Sequence, residues 1–147
     1  MKKFSLLFLG ILSLLVLMTF QNCGEDDEPT PAEETKNILM SKTWVYSSVN
    51  VPASTATVDS DWSNFSVQFS ESTMSTSGHP TGATAVWPSG GYTISEDGTT
   101  LTRTADNVTV VLNPLSESNL TATFTVPAGT ELSRVAALGG EYTFNLK

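Results

Sequence analysis

The chain has 147 residues, with fifteen acidic against seven basic side chains, a formal net charge of −8 and one cysteine. Binding to nucleic-acid phosphates needs a basic face, so this acidic balance argues against a nucleic-acid partner. A lone cysteine has no disulfide partner within its own chain.

The N-terminal segment is typical of an export signal. Met1-Lys2-Lys3 is basic, and the run from Phe4 to Phe20 that follows carries no charge. A positive start before a short apolar stretch is the form of a secretory signal peptide. The run falls slightly short of the roughly 20 apolar residues of a membrane-spanning helix. We expect residues 1–22 to be a signal peptide, with an uncleaved N-terminal anchor as the alternative.

Cys23 follows this run and precedes the acidic stretch Glu25-Asp26-Asp27-Glu28. The segment Thr19-Phe20-Gln21-Asn22-Cys23 resembles the lipobox of bacterial lipoproteins, which implies that Cys23 carries the lipid. Lipid chains would then attach the protein to a membrane. An acidic stretch after the cysteine is similar to that of Bacteroidetes lipoproteins. This similarity implies an outer-membrane lipoprotein exposed at the cell surface.

Residues 23–35 are predicted to be a tether. Gly24 to Thr35 contain six acids and two prolines, a composition that favours an extended segment without secondary structure. A short helical turn is expected around Lys36–Met40. Residues 36–147 then form one domain of typical size.

Period-two alternation indicates that this domain is all-β. Apolar side chains alternate with Ser, Thr, Gln or Asn over Phe65–Phe69, Leu120–Val126 and Tyr142–Leu146. Further strands are expected over Trp44–Val51, Tyr92–Ser95, Thr99–Thr104 and Val108–Leu112.

Turn signals order these strands. Asp97-Gly98, Asp106-Asn107 and Asn113–Ser116 separate four successive strands, which predicts an up-and-down antiparallel meander. Gly78–Gly91 is rich in glycine and proline and is expected to be a long loop. Pro127–Gly140 is expected to be irregular, with a possible helical turn over Leu132–Leu138.

The order of these pieces resembles the lipocalin-like lipoproteins of Bacteroidetes. A short helix precedes Ser41-Lys42-Thr43-Trp44, the meander follows, and Gly140–Leu146 closes the chain. The resemblance implies an antiparallel barrel, closed or partly open, that holds a small apolar molecule. It also implies that Trp44 closes one barrel end beneath an arginine, either Arg103 or Arg134.

The inward positions nevertheless carry bulky groups that could fill a small barrel by themselves. These are Phe65, Phe69, Leu101, Phe124, Tyr142 and Phe144. Trp62 and Trp87 lie in polar, loop-like surroundings and are candidates for contacting a ligand or a partner. The alternative is that each plugs the barrel beneath its loop.

No catalytic or metal motif stands out. His79 is the sole histidine, and Asp59 and Asp61 lack the glycine and distal glutamate of a calcium loop. We therefore expect no enzyme activity, no cofactor and no metal. Two functions remain open: a barrel that binds a small apolar ligand, or a non-catalytic envelope protein that binds a partner through its loops around a solid core.

Overall fold

The computed structural model describes residues 28–55, 57–128, 131–132 and 136–147. Cys23 and Arg134 lie outside the described residues. One α-helix, α1 (Pro31–Met40), precedes the strands, and a 3₁₀ helix covers Asp59–Trp62. The strands are β1 (Thr43–Asn50), β2 (Ser66–Phe69), β3 (Thr73–Ser77), β4 (Gly90–Ile94), β5 (Thr100–Arg103), β6 (Thr109–Leu115), β7 (Leu120–Val126), β8 (Glu131–Leu132), β9 (Ala136–Ala137) and β10 (Gly140–Leu146).

Eight strands form a closed antiparallel barrel in the order β1-β10-β7-β6-β5-β4-β3-β2. Each of the strands β1 to β6 pairs with the next one along the chain, and β10 closes the barrel against both β7 and β1. Strands β8 and β9 pair only with each other, within the connection from β7 to β10. The predicted all-β up-and-down barrel preceded by a short helix is confirmed.

The alternating strand directions give the barrel two different ends. At one end, which we call the helix end, α1 meets the β2–β3 and β4–β5 turns: Thr35 donates a 2.9 Å hydrogen bond to the Gly98 carbonyl, and Lys36 pairs with Glu71 at 2.5 Å. The opposite end, the loop end, carries the connections at 51–65, 78–89 and 104–108, and the one between β7 and β10. The long irregular segments therefore lie together at the loop end.

Helix α1 begins earlier than the sequence pattern predicted. Thr30 caps the helix and forms a capping box with Glu33, while Pro31 occupies the first turn. This arrangement satisfies backbone N–H groups that a helix start leaves unpaired. The prediction of an extended tether is therefore wrong over Pro31–Thr35, where the acidic composition concealed a helix start.

Three other local predictions are corrected. β6 continues through Asn113 and Pro114, which lie where the register with β7 shifts, and the tight turn follows at Ser116–Asn119. A strand tolerates proline at such an irregularity. β3 was missed because its only buried apolar residue is Met74. Part of the segment expected to hold a helical turn instead pairs as β8 and β9.

Gly98 provides a test of the contact between α1 and the barrel. Its φ is +70°, and a Cβ atom there would lie 2.5 Å from the Pro31 carbonyl oxygen. Gly98→Ala should lower the free energy of unfolding by about 1–3 kcal/mol, because it adds backbone strain and presses on the helix. The measurement is urea denaturation followed by tryptophan fluorescence.

Gly90→Ala is the matched control. Its added Cβ would meet only the Ala105 Cβ, at an ordinary 3.6 Å. We expect a change below about 0.5 kcal/mol. Equal losses in both variants would contradict a close contact between α1 and the β4–β5 turn.

Candidate functional site

A cluster of buried aromatic side chains, which we call the aromatic core, lies inside the barrel. It comprises Trp62, Phe65, Trp87, Phe124, Tyr142 and Phe144, and each of these residues is at most 3% exposed. Phe144 lies at the centre, with ring centroids 5.0 Å from Trp62, 5.0 Å from Phe65 and 5.1 Å from Trp87. Rings at these separations make favourable edge or offset contacts and bury large areas.

Half of the aromatic core comes from strands whose inward faces the sequence predicts. Phe124 lies on β7, and Tyr142 and Phe144 lie on β10, alternating with outward threonines. Phe124 stacks on Phe144 with the ring centroids 5.7 Å apart. The inward positions predicted from periodicity, including Phe69 and Leu101, are all buried.

Trp62 reaches the core from the 3₁₀ helix at the loop end. The Asp59 carboxylate accepts a 2.5 Å hydrogen bond from the Val49 N–H, and the Asp61 carboxylate accepts one from the Val58 N–H at 2.9 Å. These carboxylates satisfy backbone donors and so fix the helix that delivers the indole. Within the described part of the chain, the Trp62 Nε1–H has no hydrogen-bond partner.

Trp87 reaches the core from residues 78–89, which we call the plug segment. Its Nε1–H points at the Met74 sulfur, 3.3 Å away. Its carbonyl accepts hydrogen bonds from the Thr76 hydroxyl at 2.9 Å and from His79 Nε2 at 2.8 Å. The half-buried His79 ring also packs edge-on against Phe65 at 5.2 Å. The sole histidine therefore supports the plug segment.

Trp62 and Trp87 are both 0% exposed. Neither indole can touch a partner at the surface in this conformation. The alternative, in which each tucks beneath its loop as a plug, describes the structure. Their polar sequence neighbours mislead because Asp59, Asp61 and His79 hydrogen-bond the local backbone that places the indoles inside.

Arg103 is a fully buried charge at the loop end of β5. Its Nη1 donates to the Val86 carbonyl at 2.7 Å, while Nε and Nη2 donate to the two Asp106 carboxylate oxygens at 3.1 and 2.5 Å. The guanidinium lies 4.8 Å from the centre of the Phe124 ring. Burial lowers the pKa of Arg103, and Asp106 opposes that shift. An arginine nonetheless stays charged in proteins.

Trp44 lies fully buried beside α1, and its Nε1–H donates to the Leu39 carbonyl at 2.9 Å. The cation over its ring is the Lys42 ammonium, 4.4 Å from the ring centre. Arg103 lies over Phe124 instead, which corrects the expectation that it covers Trp44. Arg134, the other candidate, falls outside the described residues.

Two depressions bounded by described residues lie on the outside of the barrel. One, of about 330 Å³, is lined by α1 and β4 residues such as Lys36 and Tyr92. The other, of about 400 Å³, lies beside Asp106 and Glu141. Within the described ranges, no three His, Cys, Asp or Glu side chains come together as metal ligands would. No helix described here has the length and apolar character needed to cross a bilayer.

Comparison of the chain with protein-family models and with curated protein sequences finds no match. The aromatic core and the loops that close it are therefore the features from which we infer a function.

Removing the Trp87 side chain should destabilise the folded protein. Trp87→Ala is expected to lower the free energy of unfolding by about 3–5 kcal/mol, because it leaves a cavity among Phe65, Phe124 and Phe144. Urea denaturation measures the loss. Val58→Ala, at an exposed loop-end position, should change stability by less than about 0.5 kcal/mol. A similarly small change in Trp87→Ala would show that the indole does not fill the barrel.

Stability should also fall in alkali. Burial raises the pKa of Tyr142, and burial together with the Glu71 charge raises that of Tyr92. Above about pH 10 the unfolded chain loses these phenolic protons first, so folding becomes less favourable as the pH rises. In denaturation series between pH 8 and 11, Tyr142→Phe should show a shallower fall than the parent protein. An identical fall in both would contradict a raised pKa at Tyr142.

Proposed function

We propose that this protein is a non-catalytic lipoprotein of the cell envelope that works through the outer surface of a solid barrel. The observation that carries the proposal is the aromatic core, in which Trp62 and Trp87 close the loop end from inside. An eight-stranded barrel has room either for its own side chains or for one small ligand. The burial of six aromatic side chains inside this barrel supports the first of these two cases.

A ligand inside the barrel would have to displace a plug. Returning one large buried side chain to water costs about 1.5–3 kcal/mol. That cost weakens an apolar ligand roughly ten- to hundredfold, since each 1.4 kcal/mol is a factor of ten in affinity. The geometry therefore favours a partner-binding protein over a carrier of small apolar molecules.

The start of α1 bears on how the barrel would sit at a membrane. Thr30 is the N-cap of α1, so seven residues, 24–30, lie between Cys23 and the first helical residue, Pro31. At roughly 3.3–3.6 Å per extended residue this segment spans at most about 25 Å. With lipid on Cys23, the helix end stands near the membrane and the loop end points away from it. We infer that the loop end meets another envelope component.

Lipid attachment is tested first. Cells fed an alkyne analogue of palmitate should yield a labelled protein. Its intact mass should match a chain that begins at an acylated Cys23. Cys23→Ser should abolish the label and move the protein out of the membrane fraction. An unmodified thiol on a chain that retains residues 1–22 would contradict this part of the proposal.

The working surface is tested by site-specific photocrosslinking in cells. A crosslinking residue at Thr81, exposed at the loop end, should trap one defined product, whereas the same group at Glu117, exposed at the helix end, should not. Native mass spectrometry of the full chain in detergent supplies the complementary result. A co-purifying fatty acid or other apolar molecule, with no loop-end crosslink, would favour the ligand-binding alternative.

A further inference from the structure

Among the described residues, few side-chain hydrogen bonds join the plug segment to the strands around it. The Thr76 hydroxyl on β3 donates to the Trp87 carbonyl, and the Thr76 N–H donates to the Ser89 hydroxyl at 2.8 Å. From the other side, Arg103 on β5 donates to the Val86 carbonyl. The His79–Trp87 hydrogen bond lies within the segment and does not join it to the barrel. Arg103 therefore supplies the tie on the β5 side.

Arg103 can stay in place only while its charge is compensated. An unpaired charge is very costly to bury, and losing one partner of a buried pair is strongly destabilising. Asp106 is the counter-ion, and its side chain remains 30% exposed at the rim of the depression beside Glu141. Its carboxylate also accepts a 3.2 Å hydrogen bond from the Val108 N–H, which fixes it over the β5–β6 turn.

We propose that Arg103 and Asp106 form a latch that keeps Trp87 inside the barrel, and that releasing this latch opens a site for a planar aromatic compound. Without the Asp106 carboxylate, the guanidinium moves toward water and the Val86 carbonyl loses its donor. The plug segment then keeps its hydrogen bonds to β3, those of Thr76 and the one from the Trp87 Nε1–H to the Met74 sulfur. The space left by the indole is bordered by the rings of Phe65, Phe124 and Phe144, at centroid distances of 5.1–5.6 Å from the Trp87 ring.

In this proposal the closed conformation of the core depends on the Arg103–Asp106 pair. It depends neither on the lipid nor on a partner, so its failure would leave the proposed function untouched. The converse also holds, because a ligand-free, latched barrel could still lack an envelope partner.

The experiment is hydrogen–deuterium exchange of the full chain in detergent, read peptide by peptide. In Asp106→Asn the backbone amides of the plug segment should exchange at least tenfold faster than in the parent, while β7 and β10 stay within twofold. Asp106→Glu, which keeps a carboxylate, should restore most of the protection. The environment-sensitive dye 1-anilinonaphthalene-8-sulfonate should bind Asp106→Asn and not the parent.

Arg103→Met separates the latch from general stability. It removes the buried charge together with its need for Asp106 and keeps an apolar side chain against Phe124, a change that often leaves stability unaltered. The plug segment should still exchange at least tenfold faster, with an unchanged midpoint of unfolding.

Asp97→Asn is the matched control, since Asp97 accepts hydrogen bonds from Ser95 and Thr99 within a turn at the helix end. It should leave the plug segment protected. The latch is overturned if plug-segment exchange is unchanged in both Asp106→Asn and Arg103→Met. It is equally overturned if exchange in these variants rises by the same factor in β7 and β10.

Discussion

The packing around Phe144 is the interaction on which the rest of the structure depends. This single ring on β10 contacts aromatic side chains from β7, from the 3₁₀ helix, from the plug segment and from the residue preceding β2. These contacts at Phe144 tie the last strand to two of the loop-end connections, at 51–65 and 78–89. Aromatic side chains bury large areas, which makes such a centre energetically dominant in a domain of this size.

The loops can bury two tryptophans only because their backbone polar groups find partners close by. Asp59 and Asp61 accept from backbone N–H groups, and Thr76, His79 and Arg103 donate to carbonyls of the plug segment. A loop that entered the barrel without such partners would leave polar groups unsatisfied in an apolar interior. These polar residues of the loop end thus hold the loops that bury the two indoles.

The fold class and most strands could be predicted from the sequence because period-two alternation reports directly which face is buried. β7 and β10 show this best, since buried apolar residues alternate with threonine in β7 and with Thr143 and Asn145 in β10. The same reasoning missed β3, whose Ser/Thr-rich sequence offers only Met74 to the core. β3 is a strand through its pairing with β2 and β4, which no local pattern reveals.

The site was harder to predict than the fold. Sequence neighbours are a poor guide to the exposure of Trp62 and Trp87, because nearby polar side chains such as Asp59 and Thr76 hydrogen-bond the local backbone. The prediction of the helix start failed for the opposite reason. The signal is present as Thr30 and Glu33, but it lies inside an acidic run. The position of Arg103 over Phe124 depends on strand order and loop path, which composition and spacing do not determine.

The same eight-stranded frame could serve either as a container or as a solid support, and residues in its loops decide between these roles. The strands alone supply Phe124, Tyr142 and Phe144, which line one side of the interior. Trp62 and Trp87 enter the same interior from the loop end and pack against these rings. Because these two indoles come from connections rather than strands, changes in the connections alone could empty the barrel while every strand pairing is kept. The loop end, where the buried Arg103 also lies, is therefore the part of this frame that would separate the two roles.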